Sequence, residues 1–206
     1  MTVELQRRGT AQSGRIILAH GAGAGMDSDF MQYMAMHLAS HGFESILFNF
    51  PYMEKRQKDG KKRPPDRAPK LLEHFKNVLS QIGNDKPLLI GGKSMGGRIA
   101  SMLAAEYPTI ANGLILMGYP FHPPGKPENL RTNHLSGIKM PVLLIQGERD
   151  TFGGTNLVST LNLPSNFEVF WSKDGDHSLK PRKKSGRTET ENRDAAITAI
   201  SSKEWF

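Results

Sequence analysis

The chain contains no cysteine. That excludes disulfides, a thiolate nucleophile and cysteine-ligated zinc, and it fits a reducing compartment, so the expected location is cytoplasmic. No apolar run approaches the length of a membrane span. Residues 1–14 are polar and lack the apolar core of a signal peptide. No membrane association is therefore expected. No two histidines, and no histidine–acid pair, share a ligand spacing near a site, so neither a metal nor another cofactor is expected. Aromatics are scarce, at 8% of residues. The most basic stretches carry none beyond Tyr52 at their border, and no recognised motif is present, which argues against nucleic acid as a partner.

What remains is a chain of 206 residues with net charge +7, suited to one domain, 1–206, with a sizeable core. Short apolar runs alternate with helical patterns. Strands are expected at 15–19, 44–49, 87–91, 112–118, 141–146 and 166–171, and helices at about 27–41, 68–82, 95–106, 154–162 and 189–202. Such alternation predicts an α/β fold, a mostly parallel sheet with helices on both faces.

Gly92-Lys93-Ser94-Met95-Gly96 fits G-x-S-x-G and sits between an expected buried strand and an expected helix. A serine on so sharp a turn is a nucleophile elbow, in which side chains two residues either side of the serine would collide with the neighbouring strand and helix. The positive end of the helix lies beneath the serine. The spacing alone also fits a phosphate loop, so the remainder of the chain has to supply a base, an acid and an oxyanion site.

The first expected strand runs into His20-Gly21-Ala22-Gly23-Ala24-Gly25. Small residues here suit a loop whose backbone N–H, at Ala22 or Gly23, approaches a substrate oxygen together with the N–H of Met95. A dinucleotide-binding turn is the competing reading, but the glycines merely alternate and no acidic residue follows at the required distance. Asp150 lies just past the carboxyl end of the strand at 141–146, where catalytic groups collect in open α/β sheets. Glu148 is an alternative acid on the same face. His177, one of seven histidines, follows a strand in the glycine-containing loop Asp174-Gly175-Asp176-His177-Ser178. The resulting order, Ser, Asp, His, is that of α/β hydrolases and differs from both serine-protease orders.

The chain resembles the α/β-hydrolase superfamily. More narrowly, it is similar to a small hydrolase-like family that includes testis-expressed protein thirty, the third regulatory subunit of the NSL histone-acetyltransferase complex and many bacterial members. The resemblance rests on residues 20–26, Phe50-Pro51-Tyr52, Arg63-Pro64-Pro65, Gly91-Gly92-Lys93-Ser94-Met95-Gly96-Gly97-Arg98 and Asp174-Gly175-Asp176-His177-Ser178. It implies the hydrolase fold, with Ser94, Asp150 and His177 as a catalytic triad, and implies no particular substrate.

Two basic stretches, 54–70 and 180–187, follow the carboxyl ends of expected strands and should border the same sheet edge as Ser94. They are either solvated loops or a cationic rim for an anionic ester or thioester. Gly23, Lys93, Tyr52 and Arg63 are the candidate substrate contacts. The interval 120–140, where many hydrolases insert a helical lid, is short and broken by four prolines, so the site should be open and shallow. The favoured activity is hydrolysis of a small-molecule ester or thioester through an acyl-enzyme. The competing functions are a hydrolase-fold interaction protein without turnover and a serine peptidase.

Overall fold

The apolar runs become the inner strands of a seven-stranded sheet in the computed structural model, which describes residues 2–206. The strands are β1 (Leu5–Arg8), β2 (Arg15–Ala19), β3 (Glu44–Phe48), β4 (Leu88–Lys93), β5 (Gly113–Met117), β6 (Val142–Gly147) and β7 (Phe167–Ser172). Their spatial order is β1-β3-β2-β4-β5-β6-β7. All neighbours pair in parallel except β1, which runs antiparallel to β3. The helices are α1 (Asp29–Ser40), α2 (Pro51–Asp59), α3 (Ala68–Leu79), α4 (Met95–Glu106), α5 (Thr155–Val158) and α6 (Glu189–Ser201).

Because successive strand residues point to opposite faces, the sheet has two apolar surfaces and the molecule two cores. Ile17, Ile46, Phe48, Ile90, Leu114 and Leu144 face α3 and α4, meeting Phe75, Val78, Ile99 and Leu103. Ile16, Leu18, Leu47, Ile115, Leu143 and Ile145 face α1 and α6, meeting Met34, Leu38, Ile197 and Ile200. The strands buried on both faces are the continuous Val/Ile/Leu runs that a parallel sheet requires.

The topology places the site. β3 lies on one side of β2 and β4 on the other, so the chain leaves β2 in one direction and returns past it in the other. The carboxyl ends of β2 and β4 form a topological switch point, the place where open α/β sheets bind ligands.

Three elements differ from expectation. β1 has no apolar run to announce it. It is a short edge strand whose charged residues suit an unpaired border, and Arg7 pairs with Glu44 at 2.8 Å. Residues 51–59, which run into the basic stretch 54–70 and for which no helix was expected, form α2, with Pro51 in the first turn and Gly60 closing the helix at φ 71°. These are the proline-first and glycine-last positions that helices favour. α5 stops at Val158 rather than near 162. Past it, the Ser159 and Thr160 hydroxyls turn back onto the carbonyls of Asn156 and Leu157, a competition that shortens helices.

Phe75 is fully buried between α3 and the sheet. Phe75→Ala should lower unfolding free energy by about 3–5 kcal/mol, measured by urea titration with an unchanged m-value.

Candidate active site

Ser94 sits between β4 and α4 with φ 52° and ψ −116°. A side-chain-bearing residue pays about 1–3 kcal/mol for such backbone geometry and keeps it only where its surroundings impose it. Here the cause is a close approach. A Cβ at Gly92 would stand 2.3 Å from the Ala19 carbonyl oxygen, and one at Gly96 would stand 2.2 Å from the same atom. With hydrogen at both positions, β4 and α4 press against the end of β2. The Ser94 N–H is held by the Met117 carbonyl at 2.9 Å, and the side chain is lifted above the sheet edge.

His177 and Asp150 come to this serine from two other strand ends. The Ser94 hydroxyl lies 2.9 Å from His177 Nε2, and His177 Nδ1 lies 2.9 Å from Asp150 Oδ2. A carboxylate only accepts, so Nδ1 carries the proton and Nε2 is left to accept from the serine hydroxyl. The Asp150 side chain is fully buried. It also accepts from Gln146 Nε2 at 2.9 Å and from the Phe152 N–H at 2.8 Å, which satisfies both oxygens. Glu148, the other acid the sequence allowed, is turned away and accepts from the Asp174 N–H at 2.6 Å. It braces the loop that carries His177.

That loop is tightly clamped. Asp176 Oδ1 accepts from the N–H groups of Ser178 and Lys180 at 2.7 and 3.0 Å. Asn192 of α6 donates from Nδ2 to the Lys173 and Leu179 carbonyls at 3.0 and 2.8 Å. Two glycines let it lie flat on the sheet edge. A Cβ at Gly118 would be 2.6 Å from the His177 carbonyl oxygen, and one at Gly147 would be 2.2 Å from that of Asp176.

Lys93, beside the serine, is only 8% exposed. Its ammonium donates to the His177 carbonyl and lies 5.6 Å from the centre of the Phe30 ring. Burial pushes it down to about 8, against the opposing pull of Asp150 and Asp176. The residue next to the serine thus ties the serine-bearing turn to the histidine-bearing loop.

On the opposite wall, the loop after β2 has its carbonyls fastened in turn. His20 is fully buried. Its Nε2 accepts from the Phe50 N–H at 3.0 Å, so Nδ1 donates to the Gly21 carbonyl at 2.7 Å. Burial pushes His20 down to about 4 and keeps it neutral. Tyr52 donates to the carbonyls of Gly21 and Ala22 at 3.2 and 3.0 Å, and Arg56 to that of Gly23 at 3.0 Å. In a trans peptide a carbonyl and the following N–H point in opposite directions. Fastening the Gly21 and Ala22 carbonyls on one side turns the Ala22 and Gly23 N–H groups to the other. Among the described residues, the Ala22 and Met95 N–H groups donate to no main-chain acceptor.

Between these walls lies a cavity of about 620 Å³ that Ser94, His177, Ala22, Gly23, Met95 and Lys93 all line. Two expected contacts are not on its wall. Tyr52 is buried behind the Gly21–Gly23 loop, and Arg63 is spent on Asp59. The stretches 54–70 and 180–187 are less cationic than their sequence suggests, because Lys70 pairs with Asp66, Arg182 with Asp174 and Lys180 with Glu189. From both together, only Pro65 reaches the cavity. The interval 120–140 contains no lid helix beyond a single 3-10 turn at Leu135–Gly137. Pro120, Pro124 and Arg131 from this interval wall one side of the site. No described helix is long and apolar enough to cross a membrane.

A family model for the alpha/beta hydrolase domain matches residues 12–204. The chain belongs to this family. Solved structures share its fold at low identity. A dienelactone hydrolase from Anabaena variabilis superposes with a TM-score of 0.71 at 20% identity, over 99% of this chain and 91% of that one. An alpha-beta serine hydrolase homologue from Coxiella burnetii gives 0.72 at 20%, over 96% and 90%. Est1E from Butyrivibrio proteoclasticus, solved with ferulic acid, gives 0.71 at 14%, over 97% and 95%.

The depressed Lys93 has a consequence for stability. Between about pH 8 and 10.5 the unfolded lysine keeps its proton while the folded one has released it, so this residue makes the fold gain stability as pH rises through that window. In Lys93→Met this gain should disappear, as read from urea midpoints of both proteins across the window. A parallel pH dependence in the two would contradict the assignment.

Proposed function

We propose that this hydrolase-family protein is a serine hydrolase that cleaves a carboxylic ester or thioester through an acyl-enzyme. The observation that carries the reading is the unbroken chain Ser94–His177–Asp150, with 2.9 Å at each link, at the foot of a cavity large enough for a small molecule.

Ser94 Oγ attacks the substrate carbonyl while His177 Nε2 takes its proton. Asp150 holds the imidazole in the reactive tautomer and stabilises the imidazolium. The developing oxyanion meets the N–H groups of Met95, at the positive end of α4, and of Ala22, which its fastened neighbours orient in advance. His177 then protonates the departing alkoxide or thiolate, leaving the acyl group on Ser94. A water repeats the sequence, losing its proton to His177, and the acid departs as Ser94 recovers its hydrogen. No step requires a metal or cofactor. The narrower kinship with the hydrolase-like family of testis-expressed protein thirty, and a cytoplasmic location, belong to the same proposal. Both rest on sequence features alone.

The test is labelling with a fluorophosphonate serine probe. The parent should label, and Ser94→Ala and His177→Ala should not. A folded parent that stays unlabelled would overturn the reading in favour of an interaction protein. On a p-nitrophenyl ester, Asp150→Asn should lower kcat by roughly 10³- to 10⁴-fold. Short acyl esters should be turned over better than long-chain ones, because a cavity of about 620 Å³ has no helical lid to extend it. A clear preference for long-chain triglyceride would contradict this.

A further inference from the structure

Two arginines line the same cavity and have no part in the chemistry above. Arg98 lies one turn of α4 beyond Ser94, and its N–H donates to the Ser94 carbonyl at 3.0 Å. Arg131 comes from the irregular interval between β5 and β6, and both residues line the cavity. Among the described residues neither guanidinium forms an ion pair with any carboxylate. Arg98 Nε is buried with no hydrogen-bond partner at all.

The neighbours make this arrangement costlier. Burial and the Arg98 charge both push Arg131 down, and the same two causes push His134 down to about 4. Among the described residues, the one other ionisable group acting on Arg131 is the phenol of Tyr119, which burial pushes up to about 12 and so keeps neutral. Two like charges therefore share a half-buried wall without a counter-ion. A protein that folds around such a pair retains an uncompensated electrostatic cost, and an anionic group entering the cavity removes it. Guanidinium groups present paired donors that match the oxygens of carboxylate or phosphate.

We propose that Arg98 and Arg131 form an anion subsite that receives an acidic group, carboxylate or phosphate, carried by the substrate away from its scissile bond. The preferred substrates are then singly acidic esters or thioesters, such as the half-esters of dicarboxylic acids. The inference rests on the reading of Ser94 as nucleophile for its kinetic part only, because occupation of the subsite can be measured without turnover.

The binding arm uses thermal shift of the parent, Arg131→Gln and Arg98→Gln with glutarate and, separately, inorganic phosphate. Saturable stabilisation of the parent that is lost in Arg131→Gln supports the subsite, and the better of the two ligands identifies the acidic group. Equal shifts in parent and variant, or none in the parent, overturn it. Arg131 lies outside any helix or strand, so its replacement keeps the test decisive should Arg98→Gln fail to fold.

The kinetic arm compares the mono-p-nitrophenyl ester of glutaric acid with its neutral methyl-capped counterpart. The parent should favour the acidic ester in kcat/KM by about ten- to a hundred-fold, chiefly through KM. That ratio should fall toward unity in Arg131→Gln and be partly kept in Arg131→Lys. A ratio unchanged by either substitution would sink the proposal. A parent that is stabilised by glutarate but hydrolyses neither ester would overturn the hydrolase reading and leave the subsite standing.

Discussion

The end of β2 and the turn that follows β4 meet at a separation that admits only hydrogen on the glycines between them. The Ala19 carbonyl oxygen would lie within 2.3 Å of a Cβ at Gly92 or Gly96, and most of the site follows from that contact. It forces the positive φ of Ser94. It also sets the first turn of α4 beside the Gly21–Gly23 loop, so that Met95 and Ala22, from two different elements, border one cavity. The same device recurs along the sheet edge. Gly118 after β5 and Gly147 at the end of β6 leave room for the main chain around His177. At or beside the ends of three adjacent strands a glycine thus stands where another piece of backbone must pass, and none of these positions tolerates a side chain without moving that backbone.

Polar groups buried beneath the site make a second frame. Asp150 is satisfied by Gln146, Phe152 and His177, and Gln146 itself bonds to the main chain of Tyr119 and Gly153. Lys93 adds a cation within reach of the Asp150 and Asp176 charges. Low dielectric strengthens each of these bonds and penalises any left unmade, so the arrangement is rigid. By contrast, the arginine pair on the cavity wall has no carboxylate partner among the described residues, and Arg98 Nε is buried without a hydrogen bond.

Much of this was legible in the sequence because the decisive signals are local. The parallel sheet follows from continuous apolar runs. The elbow follows from a glycine pair about a serine between a strand and a helix, and α4 begins and ends where its pattern says. Long-range features were not legible. Asp150 and Glu148 occupy the same face of one segment, and what separates them is a hydrogen bond from Asp174, 26 residues away in the chain. Tyr52 and Arg63 looked like substrate contacts because they sit in conspicuous motifs. The Tyr52 hydroxyl is taken up by the distant Gly21 and Ala22 carbonyls, and Arg63 by its near neighbour Asp59, a local pair that the motif obscured. Arg98 was visible in the motif and Arg131 in a proline-rich interval, but their convergence on one cavity is a property of the fold. The helix α2 had its proline and glycine signals in plain sight. A run of positive charge masked them.

The clamp between α6 and the histidine loop bears on how the protein is made. A ribosome that has synthesised the chain as far as His177 has produced Ser94, Asp150 and His177, yet Asn192, which holds the loop at the Lys173 and Leu179 carbonyls, is still to come. α6 also completes the core on its face of the sheet. The nascent chain therefore carries Ser94, Asp150 and His177 before the helix that clamps the His177 loop exists, and that clamp closes only when α6 has docked.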